Sequence, residues 1–546
     1  GKDYPEHLKL PAVSAVEPYD EQIARVSTQV GAQLPKESMR NRSGASMMNP
    51  KTQVTELYGK PLLELVEYNY AKSAIFAITK AMPTDAEASL ANAVLNSYIA
   101  LATGDVTGSQ QGRANGATPN AYIAAQVLMA GNNKLLQAVE SNIDALIDLF
   151  YINVGADVSM NSAKLAELAG IEVSLAKGEN SDQQKAIAAH LVKVGQNKGV
   201  ESLITAYAKE TLAKDSSLCA ISLTLAASVL SLSWKSVTGR RLTRKNAIEM
   251  GTHLSMFGIV AANAPANPDK NDRWKALQSM ADTSVLDEDY TSTLFQILFS
   301  RPGEEREVFA LNAMLNLTIT NGPGTISAMG AKESVSAKNN ISVAYAGFMA
   351  NTGLAHGGNG FEAVAFLMDV FADFDPYAAT AADRDAKLKE LAHKAASDWG
   401  HYKKQAKIEG NMNYTKIPCV NHPVFKDKAK NIDPREEFIW NLFATRKTVN
   451  PFQEFYHHLV QELFEVGATK NIFCVNIDAV IATISLDLFW KDMKAGKIEK
   501  SEMQDIVFIM FLFARMVGSA AEITDHRSRG TDMDCRTPAS QCEFVM

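Results

Sequence analysis

The sequence predicts an all-α protein built as two helical modules in tandem, residues 53–275 and 276–546, behind an extended N-terminal arm at 1–52. Three observations lead there. Apolar residues recur at helical spacing from Val54 onward, as at Leu62, Leu65, Val66 and Tyr68. Alanine is abundant, and alternating runs of β-branched residues are scarce. A long stretch of the first half recurs in the second.

The arm contains Pro, Ser and Asn and is weakly periodic, so it reads as an extended segment wrapping a partner surface or as a loose tail. The repeat is clearest between 216–263 and 472–519. Displaced by 256 positions, Trp234 falls on Trp490, Ile221 on Ile477 and Phe257 on Phe513. Each copy reads as an apolar helix ending at Trp-Lys, a basic turn with glycine, then a second apolar helix. A weaker echo links 68–131 to 288–353, where an aromatic helix ends at proline, an acidic turn follows, and an apolar helix leads to a Gly-rich stretch. The period is too long for a solenoid and fits a duplicated domain.

Composition narrows the class. The 546 residues carry a net charge of −7, with 46% hydrophobic and 21% charged residues, which excludes a disordered chain. Mild acidity gives no whole-protein footprint for nucleic acid. The five cysteines include no CxxC pair, so neither a zinc framework nor a disulfide scaffold is expected. The uncharged stretch 216–234 carries many Ser and Thr, and a core helix is expected there rather than a membrane span. Without an apolar leader at the start shown, the expected compartment is cytoplasmic, or the mitochondrial matrix if a leader has been removed.

Chemistry concentrates in the second module. His356 lies among small residues in GLAHGGNG, just before an apolar helix, where a ligand has close access to imidazole and backbone. His422 sits in the loop NHPVFK, followed by Asp433-Pro434-Arg435. Asp478 interrupts the apolar run NIFCVNIDAVIATI, reading as a mid-helix carboxylate, and burial there raises its pKa toward base work. Arg515 interrupts another apolar helix, where a guanidinium needs an acidic neighbour or a substrate carboxylate. Displaced by 256, Asp478 falls on Ser222 and Arg515 on Ile259, so the apolar frame persists while both charges vanish. The bland alternatives are a satisfied structural His356, a surface His422 and an Arg515 simply paired with an acid. His457, His458 and His526 match no metal spacing and receive no role.

These motifs resemble the citrate synthase superfamily, which includes the citryl-CoA lyase module of ATP-citrate lyase. GLAHGGNG is similar to its first histidine motif, VNHPVFK with the later DPR to its second, VNIDAVIATI to its aspartate helix, and ARMVGSA to its arginine helix. Arg536, in DCRTP, resembles a further substrate arginine. The resemblance implies acyl-CoA as co-substrate and no tightly bound cofactor or metal. It implies Asp478 as the base at the acyl α-carbon, His356 as donor to the thioester oxygen, and His422 as donor to a 2-oxo acid carbonyl. Arg435, Arg515 and Arg536 would hold carboxylates.

The sequence departs from the family in three places. Asn321 stands where a substrate-binding histidine is usual, and an amide cannot carry a proton charge. Asn421 replaces a glycine, and Arg435 lies further from His422 than usual. Tandem modules imply an intrachain pseudo-dimer in which the first copy buttresses the second and lends it a basic residue such as Arg273, with homo-oligomers of the whole chain expected. The reading from another class is a catalytically silent structural protein of the same fold.

Overall fold

A computed structural model of the chain describes residues 42–529 together with 540 and 542. Among these, strands are confined to one small antiparallel sheet, β1 (Ser46–Met48), β2 (Thr55–Leu57) and β3 (Lys60–Pro61), in that order. Thr55 pairs with Met48, and Leu57 with both Ser46 and Lys60. The end of the expected arm and the start of the expected first helix therefore form a hairpin. The helix that follows, α1 (Leu62–Leu65), is a single turn. The β-branched pair Val54-Thr55, set between turn residues at 49–52 and Gly59, was the missed signal.

The rest is helical, as expected. Ten helices come first: α2 (Tyr70–Thr79), α3 (Ala88–Ala102), α4 (Thr107–Ala114), α5 (Pro119–Ala130), α6 (Lys134–Asn153), α7 (Ser162–Leu168), α8 (Asp182–Val194), α9 (Leu203–Lys214), α10 (Ala220–Thr238) and α11 (Arg244–Ala262). A connecting helix, α12 (Asp272–Ser279), leads to ten more. These are α13 (Tyr290–Phe299), α14 (Glu305–Thr318), α15 (Ile326–Ser336), α16 (Ile341–Ala350), α17 (Asn359–Val370), α18 (Ala381–Ile408), α19 (Pro434–Thr445), α20 (Pro451–Glu465), α21 (Ile477–Lys494) and α22 (Lys500–Ser528).

Side-chain caps set many of the starts. Asn69, Asn133, Ser181, Thr243, Asp289, Asp433 and Asn476 each accept a hydrogen bond from a backbone N–H in the first turn of the helix that follows. Proline opens α5, α19 and α20, where its missing N–H costs nothing.

Details recur between the halves and meet at their junction. The Asn69 and Asp289 caps are hydrogen-bonded to each other at 3.1 Å, and the adjoining Tyr70 and Tyr290 rings stack with centroids 6.0 Å apart. Asn96 of α3 donates to the carbonyls of Leu286 and Glu288, which lead into α13. Asn312 of α14 donates to those of Val66 and Tyr68, which lead into α2. Glycine permits the tightest helix crossings: a Cβ on Gly258 would lie 2.2 Å from the Tyr98 carbonyl oxygen, and one on Gly518 would lie 2.0 Å from that of Ile319.

The axis of the core is α22, about 44 Å long. It packs against α2, α5, α11 and α14–α17 as well as α21. Both α10 and α22 are long and apolar enough to cross a membrane by length and composition, but both are buried among other helices. Arg515 and Glu522 lie on α22, so placing this helix in the core also places charge there.

Candidate active site

Asp478 is the second residue of α21 rather than a mid-helix residue, which corrects the sequence expectation. Asn476 ends the preceding extended segment and caps the helix, its Oδ1 accepting from the amides of Asp478 (3.0 Å) and Ala479 (3.3 Å). A helix start favours negative charge, yet the carboxyl is buried and its Oδ1 has no hydrogen-bond partner. Burial outweighs the attraction of Arg435 and Arg515 and pushes its pKa up to about 6.

The segment before α21 pairs with the loop bearing His422. Val420 bridges Val475, the Asn421 amide donates to the Cys474 carbonyl at 2.8 Å, and the Asn476 amide donates to that of Cys419 at 3.1 Å. Asn421 adopts φ +73°, a left-handed conformation that asparagine tolerates better than most residues, so this replacement of glycine keeps the turn. His422 lies 4.6 Å from the Phe425 ring, stacked upon it, and its Nδ1 accepts from the Val424 amide at 3.1 Å. A neutral imidazole bonded this way carries its proton on Nε2. That nitrogen lies 3.3 Å from Asn321 Nδ2. Burial, then Arg435, lowers the His422 pKa to about 4.

His356 is held in a tight turn in which Gly353 and His356 exchange backbone hydrogen bonds at 2.9 Å. Gly357 has φ +87°, and a Cβ there would lie 2.3 Å from the Phe511 ring of α22. The His356 Nε2 faces Ser327 at the head of α15, 3.3 Å from its amide and 2.9 Å from its Oγ. An amide N–H only donates, so Nε2 is the acceptor and Nδ1 carries the proton, offered away from Ser327. Burial, reinforced by Arg515 and His422, lowers the pKa to about 3, so the ring is a neutral donor.

Arg515 reaches the same serine. Its Nη1 is 3.3 Å from Ser327 Oγ, its Nε donates to the Thr318 carbonyl, and its guanidinium lies 4.6 Å from the Phe511 centroid. No carboxylate lies within ion-pair distance among the described residues, which removes the simple paired reading. Burial and the nearby Arg435 lower its pKa to about 9. A buried guanidinium with no anion of its own is a receptor for one.

Arg435 belongs to the same electrostatic neighbourhood but is already paired, its Nε and Nη2 gripping both oxygens of Asp433 at 2.9 and 2.7 Å. Arg536 lies outside the described residues. Arg273 is not part of the pocket: it binds Gln296 and Glu288 beside α13. The first half contributes Asn120 at the start of α5 instead, whose Nδ2 donates to the carbonyls of Met349 (3.2 Å) and Thr352 (2.9 Å) just before the His356 turn. Ser327 and Asn120 carried no signal in the sequence, because an ordinary polar residue gains its role only from what it faces; Asp433 stood out only as the start of Asp-Pro-Arg, not as the partner of Arg435.

Near the start of α10, 256 positions before Asp478, Ser222 accepts from Asn142 at 3.0 Å, a neutral and satisfied pair. Elsewhere, Asp385, Glu454 and His458 bring ligand-type atoms within 4.8 Å of one another. The Lys389 ammonium, 2.7 Å from Asp385, already supplies the positive charge there.

No family model matches the sequence, and no curated protein does. Among solved structures, the chain is similar to citrate synthase from Thermotoga maritima MSB8, with 12% identity over 92% of this chain and 93% of that one and a TM-score of 0.45. It is similar to citrate synthase from the archaeon Thermoplasma acidophilum, solved with carboxymethyl coenzyme A and oxaloacetate, with 11% identity over 92% and 95% of the two chains and a TM-score of 0.43. Citryl-CoA lyase from Hydrogenobacter thermophilus shares 19% identity over 47% of this chain and 84% of its own, with a TM-score of 0.34. The resemblance is to citrate-synthase-type proteins.

Proposed function

We propose that the chain is an enzyme of the citrate synthase type. It condenses an acyl-CoA, acetyl-CoA foremost, with a 2-oxo acid, or cleaves the corresponding adduct in reverse. The observation that carries this reading is the buried Asp478 carboxyl with an unpartnered oxygen, grouped with two neutral imidazoles and an unpaired buried Arg515. Carbon–carbon bond formation next to a thioester needs such a set. A weakly acidic α-proton passes to Asp478 while the Nδ1–H of His356 bonds the developing enolate oxygen. The α-carbon then attacks the 2-oxo carbon, whose oxygen takes a hydrogen bond from His422 and, as the alkoxide forms, a proton; His422 regains a proton from water, and Asp478 gives up its own to solvent before the next cycle. Arg515 holds a carboxylate of the acid, with Arg435 and Arg536 proposed beside it. Water cleaves the thioester and releases the CoA thiol.

The recurrence of helix order, caps and tight crossings supports duplication of one module, 53–275 and 276–546, paired within the chain. The first copy has a neutral Ser222–Asn142 pair where the second has its base. It acts as scaffold, and Asn120 is its contribution to the second copy's site.

The test is free-thiol release on mixing the protein with acetyl-CoA and oxaloacetate, extended to other 2-oxo acids and acyl-CoAs. Release that disappears in Asp478→Ala with the helical signal unchanged supports the reading. No release with any pair replaces it with the silent structural protein.

A further inference from the structure

The β1–β2 hairpin does not hang free of the body. At its base the Ser46 hydroxyl donates to Glu522 of α22. At its tip the Gln53 side chain accepts from Lys428 Nζ at 3.2 Å, in the loop that carries His422. Between them Thr55, 2% exposed, places its Oγ1 3.1 Å from Asn321 Oδ1. The hairpin thus spans from the core helix to the catalytic loop, with one hydroxyl turned on the residue that faces His422.

The polarity of this chain of bonds follows from the imidazole. The Val424 amide occupies His422 Nδ1, so Nε2 bears the proton and needs an acceptor. With Asn321 Nδ2 toward His422 and Oδ1 toward Thr55, two N–H groups face each other; turning the amide by half a turn sets its carbonyl oxygen toward His422 Nε2–H and its NH2 toward Thr55, where the hydroxyl oxygen accepts. At 3.3 Å the bond to Nε2 is long, which leaves the N–H able to be shared with a substrate carbonyl entering beside Asn321.

We propose that Thr55 is a positioning residue: through Asn321 it fixes the direction of the His422 Nε2–H that polarises the 2-oxo carbonyl. The role rests on the reaction proposed above, but its structural half is tested without turnover. In the full-length protein labelled with 15N-histidine, proton–nitrogen correlation reads the tautomer of His422 and the exchange of its Nε2–H with water. Wild type shows the proton on Nε2 in slow exchange. Thr55→Val, which keeps shape and removes the hydroxyl, speeds that exchange by about tenfold, the equivalent of one net hydrogen bond. It lowers kcat by a similar factor, with KM for the acyl-CoA unchanged. Thr55→Ser restores both.

Asn321→Leu removes the acceptor itself and gives the same spectral change if the valine variant does not fold. An unchanged Nε2–H in both variants overturns the positioning role. An altered N–H in a protein that releases no thiol leaves the hairpin contact standing and removes only the reaction. A valine variant whose spectrum changes while kcat does not shows that the contact is structural alone.

Discussion

Asp478→Asn tests the site through stability as well as rate. The carboxyl has its pKa raised from 3.8 to about 6 by burial. A carboxyl raised in this way stabilises the fold fully below its unfolded pKa, and that stability is lost as pH rises through the folded value. At about 1.4 kcal/mol per unit, two units amount to roughly 3 kcal/mol withdrawn between pH 4 and pH 8. Asparagine has the same shape and does not ionise. The variant is therefore as stable as wild type near pH 4 and more stable by up to about 3 kcal/mol at pH 8. Activity moves the other way: removal of the base costs at least 10²- to 10⁴-fold. Denaturant unfolding of both proteins at pH 4.5, 6 and 8, beside thiol release at pH 8, measures the two effects. Equal stability at every pH would show that the carboxyl is not buried in its charged form. Undiminished turnover would show that it is not the base. Wild-type activity should rise with pH through about 6, with no lower limb from the histidines, since both pKa values lie lower still.

Three further outcomes follow from the same geometry. Arg515→Met removes charge-assisted bonds worth about 1.5–3 kcal/mol and should raise KM for the 2-oxo acid roughly 10- to 100-fold with little change in melting temperature, because the lost bonds to the Thr318 carbonyl and Ser327 are offset by removal of a buried charge that has no carboxylate partner. Gly357→Ala forces a side chain into φ +87° against Phe511, and should cost about 2–4 kcal/mol in unfolding measurements and abolish activity through His356. Asn120→Ala leaves the Thr352 carbonyl before the His356 turn without its donor, while that of Met349 keeps those from Thr352; kcat falls about tenfold, and circular dichroism shows the helices intact.

What the sequence determined by itself is the part encoded locally. Helical spacing is written within a few residues of where it acts, so the all-α class was legible without coordinates. The same holds for an aspartate or arginine inside an apolar run: the cost of burying charge makes such a residue conspicuous wherever it falls. Tertiary structure decided the rest. Asp478 became a helix-start residue because Asn476 caps α21, and a periodicity that runs through the cap hides the boundary. Arg273 is occupied by Gln296 and Glu288, while Asn120, unremarkable in sequence, supports the histidine turn across the two halves. Imidazole polarity was settled by two backbone amides, at Ser327 and Val424, and every residue but proline has an amide. Only the fold chooses which of them points at a histidine, and therefore which nitrogen is left to meet a substrate.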